Sequence, residues 1–127
     1  MKNIEIVNNL NNLNKFIQKE IDNNKSFVNS GARFKIKKNL KSLQSLYEVY
    51  NETLKELINK YNLTINEDGS IAIPKDNIEV QEKVISELNS LLQIDNEITL
   101  DKIKDEDFTD ECLIGDMLLL DFMTMEV

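Results

Sequence analysis

Apolar residues recur along this chain at two periods: steps of three and four over most of its length, and alternation over a short stretch in the middle. Between Ile4 and Ile21, the positions Val7, Leu10, Leu13, Ile17 and Ile21 fall on one face of a helix, with asparagine and charge opposite. Asn23-Asn24-Lys25-Ser26 predicts a break and Ser30-Gly31 a second one, with Phe27-Val28 a short buried anchor between them. The most regular pattern follows. Ile36, Leu40, Leu43, Tyr47, Tyr50, Leu54, Leu57 and Tyr61 alternate steps of four and three, the spacing of a coiled-coil seam. Leu46, Val49 and Ile58 widen the stripe, so this helix is expected to touch more than one neighbour. Roughly 28 residues, from about Ala32 to Tyr61, would span on the order of 42 Å. A rod that long exceeds what one small domain covers, so the seam predicts a homo-oligomer; the alternative is a partner helix from within the same chain.

Alternation takes over at Leu63-Thr64-Ile65 and Ser70-Ile71-Ala72-Ile73, which flank Asn66-Glu67-Asp68-Gly69 and predict a β-hairpin. Pro74 stops the second strand. Asp76 or Asn77 caps a third helix running to about Gln93, with Val80, Val84, Leu88, Leu91 and Leu92 on one side. Ile94 to Ile103 alternates in part and fits an edge strand joining the hairpin into a small sheet. Thr109 is a plain N-cap candidate for a last helix marked by Leu113, Met117, Leu120 and Met123, whose end, Met123 to Val127, is expected to fray. The pattern predicts a predominantly helical α+β fold: about four helices around a long central one, with a β-hairpin or three-stranded antiparallel sheet.

The 127 residues suit a single domain, divided into an N-terminal helix and linker (1–30) and a core (31–127). With 41% apolar and 30% charged residues, the composition is globular. No histidine is present, which removes the commonest general base and the commonest zinc ligand together. Cys112, the one cysteine, has no internal disulfide partner and reads as a small core residue. No catalytic motif stands out, so no enzyme activity, cofactor or metal site is assigned. The acidic run Asp101 to Glu111 lacks the spacing of a calcium loop. Neither a signal-peptide-like start nor a membrane-length apolar run occurs, so the expected location is cytoplasmic.

Charge changes this picture. Residues 1–62 carry a net charge of +5 and residues 63–127 of −13. Between Asp22 and Glu48 there is no carboxylate, while Lys25, Arg33, Lys35, Lys37, Lys38 and Lys41 all fall there. Cations at a helix start add to the positive end of the helix dipole, a combination that attracts phosphates and carboxylates and that is locally unfavourable by a few tenths of a kcal/mol each. Arg33, Lys37 and Lys41, spaced by four, share a flank beside Ile36 and Leu40. The candidate ligand-binding residues are therefore Arg33, Lys35, Lys37, Lys38 and Lys41. The competing reading is that this block neutralises the acidic half of the same chain or of a neighbouring subunit. Duplex DNA is disfavoured as a partner by the overall charge of −8, whereas a short nucleotide is not.

Arg33-Phe34-Lys35-Ile36-Lys37-Lys38-Asn39-Leu40-Lys41-Ser42-Leu43, followed by Tyr47 to Tyr61 and closing with Gly115-Asp116-Met117-Leu118-Leu119-Leu120-Asp121-Phe122-Met123, resembles a family of small uncharacterised proteins of tailed phages and prophages of low-GC Gram-positive bacteria. The likeness spans about residues 30–125. It implies a phage accessory protein in the cytoplasm of a bacterial host. With the basic block, it suggests a non-enzymatic counter-defence protein that sequesters a small nucleotide-type signal at a subunit interface. Two further readings are a virion or assembly interaction protein, and an acidic antagonist docking on a host defence enzyme.

Overall fold

Helix α1 (Asn3–Asn23) opens the chain in the computed structural model, which describes residues 1–125. It ends where Asn24 turns left-handed at φ 51°. There the Asn24 amide donates to Ile21 and the Lys25 amide to Glu20, the paired bonds that close a helix C-terminus. The long helix α2 (Ser30–Lys60) ends the same way: Asn62 is left-handed, and Leu63 donates to the Ile58 carbonyl at 2.9 Å. Asparagine tolerates this conformation and here takes the place that glycine usually fills.

The buried face of α1 is rotated from the predicted one. Ile6, Leu10, Leu13 and Phe16 are buried, while Val7 and Ile17 are half-buried and Ile21 is 65% exposed. Two overlapping stripes were available, and the aromatic area decides between them. Phe16 packs edge-on against Phe27 and Phe108, with ring centroids 5.6 and 6.3 Å apart. Phe27 and Val28 are buried, as predicted for the anchor between α1 and α2.

Ser30-Gly31 is not a break. Asn29 caps α2 by accepting from the Ala32 amide at 2.9 Å, so both residues lie inside the first turn. The helix then uses its stripe in two halves. Ala32, Ile36 and Leu43 are buried with α1, and Leu40 packs at the edge of that core. Beyond, Tyr47 still packs against that core and Tyr50, Leu54, Leu57 and Tyr61 are half-buried, while α3 (Ile78–Leu92) packs against α2 and Glu87 pairs with Lys60 at 3.1 Å. Part of the predicted oligomer seam is thus occupied within the chain.

Strands β1 (Thr64–Ile65) and β2 (Ile71–Ala72) form the predicted hairpin, pairing Thr64 with Ala72 and Ile65 with Ile71. Gly69 takes φ 87° in the turn, and Asp68 accepts from both the amide and the hydroxyl of Ser70. Asn77 caps α3 by accepting from Glu79 and Val80. The segment from Ile94 to Ile103 joins no sheet. Asp101 is held at Asn39, about 20 residues back along α2 from the hairpin, or roughly 30 Å. It contributes only isolated bridges, Lys2 with Asp95 and Ile103 with Thr124.

Thr109 does not cap a helix. Its hydroxyl donates to the Ser26 carbonyl and its amide to that of Phe27. The last helix starts later, as α4 (Ile114–Met117), with no side-chain cap at Leu113 before it, and tightens into a 3₁₀ stretch over Leu118–Met123. Leu120 and Met123 close the core. Of the terminal segment predicted to fray, Glu126 and Val127 lie outside the described residues. The fold is α+β and predominantly helical, with a two-stranded sheet. No helix among the described residues is long and apolar enough to cross a membrane.

Candidate functional site

The basic block opens α2, and its side chains leave the helix in three directions. Arg33 turns toward α1. Its guanidinium donates to both oxygens of Glu20, one bond measuring 2.6 Å, and also reaches the Ser26 hydroxyl at 3.2 Å. Glu20 is nearly sealed, its side chain 7% exposed, and accepts a further bond from the Phe27 amide at 2.8 Å. A buried carboxylate needs this many donors, because desolvation without them costs several kcal/mol. The Glu20 hydrogen bonds, outweighing burial, hold the Arg33 guanidinium above its ordinary pKa.

Lys35 and Lys38 turn toward the C-terminal half. Lys35 donates to the Lys102 carbonyl at 3.0 Å, and Lys38 pairs with Asp101 at 2.7 Å while lying 5.8 Å from the centre of the Phe34 ring. Between them Asn39, fully buried, donates to the Asp101 carbonyl and accepts from the Asp101 amide, both at 2.9 Å. One side chain thereby supplies what a neighbouring strand would. Outside α2 the same charge matching recurs, with Lys25 bonded to Glu111 at 2.8 Å and Lys19 to the buried Asp116 at 2.6 Å.

Lys37 and Lys41 take the third direction, away from the body of the protein. Both are exposed, and neither has an ion-pair partner among the described residues. The structure therefore does not gather Arg33, Lys35, Lys37, Lys38 and Lys41 into one pocket. An open cleft of about 480 Å³ lies beside Arg33, lined also by Lys25, Ser26 and Glu20. Its two cations already face Glu20 and Glu111, which leaves little positive potential for an anion.

The outward face of α2 continues past the lysines. Phe34, Lys37, Lys41, Ser45, Glu48, Glu52 and Glu56 follow one another at three- and four-residue steps and are all exposed. Phe34 is 65% exposed and Val49, at the border of this stripe, 61%.

Cys112 is half-buried, and burial pushes its thiol up to about 11, which keeps it protonated and unreactive near neutrality. Among the described residues, no three potential metal-ligating side chains come together.

Sequence reasoning missed Glu20, Asn39 and Asp116, each polar and buried. Asn39 was discoverable: with Ile36 and Leu43 it lies at steps of three and four, the same inward face as the apolar residues. Glu20, four residues after Phe16, and Asp116, four before Leu120, lie on the buried stripes in the same way, but only the partner cation, distant in sequence, makes their burial tolerable.

Comparison with known protein families, curated proteins and solved structures yields no match to this chain.

Proposed function

We propose that this chain is a non-enzymatic accessory protein that works by protein contact, an assembly or interaction module rather than a sponge for a small signal. The observation that carries this reading is the disposition of the basic block. Arg33, Lys35 and Lys38 are engaged by acceptors of their own chain, and the charges left over lie along an open helix face, not in a pocket. Open, extended surfaces suit protein partners; small anions are held in concave sites with converging donors. The resemblance to phage and prophage proteins supports the virion or assembly setting for such contacts.

The antagonist reading loses support from the same bonds. Within the acidic run, Asp101, Asp107 and Glu111 are occupied by Lys38, Asn29 and Lys25. Sequestration of a nucleotide-type anion keeps one specific observation in its favour, the unpaired Lys37 and Lys41. Thermal-shift and calorimetric titration of the full chain with mono-, di- and cyclic nucleotides separates these readings. Contact function predicts no nucleotide-dependent rise in melting temperature. A rise that disappears in Lys37→Glu would overturn it and reinstate sequestration.

A further inference from the structure

The outward face of α2 is segregated by charge. Lys37 and Lys41 occupy its first half, Glu48, Glu52 and Glu56 its second, and no carboxylate precedes Glu48 on the helix. Within one helix this arrangement is locally unfavourable. Lys37 and Lys41 are like charges at i and i+4, as are Glu48, Glu52 and Glu56, and such pairs repel by a few tenths of a kcal/mol each. Lys41 and Glu48 lie seven residues apart, and Lys55, the cation beside the glutamates at i+3 of Glu52, makes no ion pair among the described residues. Among the described residues, no ion pair from elsewhere in the fold reaches any of these five side chains.

A second copy of the same face, laid antiparallel, matches it. If residue i meets residue 89 − i of the partner helix, Lys37 faces Glu52, Lys41 faces Glu48 and Ser45 lies next to the two-fold axis. Each pair then occurs twice, as an isologous interface requires. The same register sets Lys55 opposite Phe34, placing a cation against an exposed aromatic ring. We infer that the outward face of α2, from Phe34 to Glu56, is a self-association surface on which two copies of this chain pair antiparallel. This rests on the contact-based reading of function and names the partner as a second copy. It differs from the heptad seam, whose first half is buried under α1 and the C-terminal segment.

Sedimentation equilibrium of the full chain at low salt tests the surface. The wild type is expected to dimerise, and Lys37→Glu/Lys41→Glu to weaken the dimer by more than about 30-fold, as is Glu48→Lys/Glu52→Lys. The two variants mixed should form a heterodimer, since every facing pair is again opposite in sign. The fourfold swap in one chain should restore the homodimer. Circular dichroism of each variant separates lost pairing from lost folding, because substitutions on an exposed face leave the fold intact. Register is read by an interchain disulfide at Ser45→Cys in a Cys112→Ser background, with Lys55→Cys as the position that should not cross-link. A monomer at all concentrations, or a dimer indifferent to both charge reversals, overturns the surface. A monomer without nucleotide binding would still leave the contact-based function standing, whereas nucleotide binding would remove that function independently of the oligomeric state.

Discussion

Glu20, near the end of α1, takes both ends of the Arg33 guanidinium on α2, but the two partners are unequally buried. The Glu20 side chain is 7% exposed and that of Arg33 30%. Removing either strands the other, and the costs differ. Arg33→Ala leaves a buried carboxylate with only the Phe27 amide, while Glu20→Ala leaves a cation that can reach water. The expected losses are about 3 kcal/mol for Arg33→Ala and about 1.5 kcal/mol for Glu20→Ala, with a double mutant costing less than their sum. Urea unfolding of the three variants measures this; equal single losses would mean that the pair is solvated.

Asn39 holds the Asp101 backbone by two bonds inside the core edge. Asn39→Ala should destabilise by about 2 kcal/mol, because the half-buried amide and carbonyl of Asp101 lose their partner together. Asn39→Asp keeps the acceptor but removes the donor, so it should also destabilise, despite being nearly isosteric. Chemical denaturation with hydrogen exchange at the Asp101 amide checks both, and unchanged protection at that amide in Asn39→Ala would refute the role.

Phe16 stands where α1 meets Phe27 and Phe108. Phe16→Ala is expected to cost about 3–5 kcal/mol through the cavity it opens. Val7→Ala, at a position that sequence periodicity placed in the core, should cost less than about 1.5 kcal/mol. The order of the two midpoints in a thermal melt distinguishes the observed face from the predicted one.

Acid stability depends partly on Asp107. Its carboxylate accepts from the Lys104 amide and the Asn29 side chain, each at 2.9 Å, and these bonds hold its pKa below the ordinary value of 3.8. A depressed folded-state pKa contributes stability that is fully present above the unfolded value and is lost as pH falls through the folded one. Asp107→Asn should therefore be less stable than wild type near neutrality, and the gap should narrow as pH falls below the ordinary aspartate value and through the depressed folded one. Melting temperatures across that range give the comparison; a gap constant with pH would show that protonation of Asp107 is irrelevant.

Local rules were legible in the sequence wherever one short segment suffices. The Asp-Gly hairpin, a cap for α3 at Asp76 or Asn77, the Phe27-Val28 anchor and the long helix all follow from neighbours within a few residues. The errors share a different cause. Ser30-Gly31 reads as a break on its own, but the Asn29 cap draws both residues into the first turn, and the α1 face differs from its periodicity because Phe16 finds Phe27 and Phe108 only once the chain has folded. The edge strand was expected from alternation alone, but alternation does not say where the open edge of the hairpin lies.

For the candidate site, amino-acid order is enough to cluster cations at the start of α2 and to set carboxylates in its second half and beyond. Those are facts of order along the chain, and helical periodicity carries them onto a face. Tertiary structure alone decided which charges are spent. Arg33 is committed to Glu20 and Lys38 to Asp101, while Lys37 and Lys41 look outward. The reason is geometric. An ion pair forms only when two groups come within a few ångströms, and the distance between residues 33 and 20, or 38 and 101, is set by how α1 and the C-terminal segment fold against α2, which no count of charges contains.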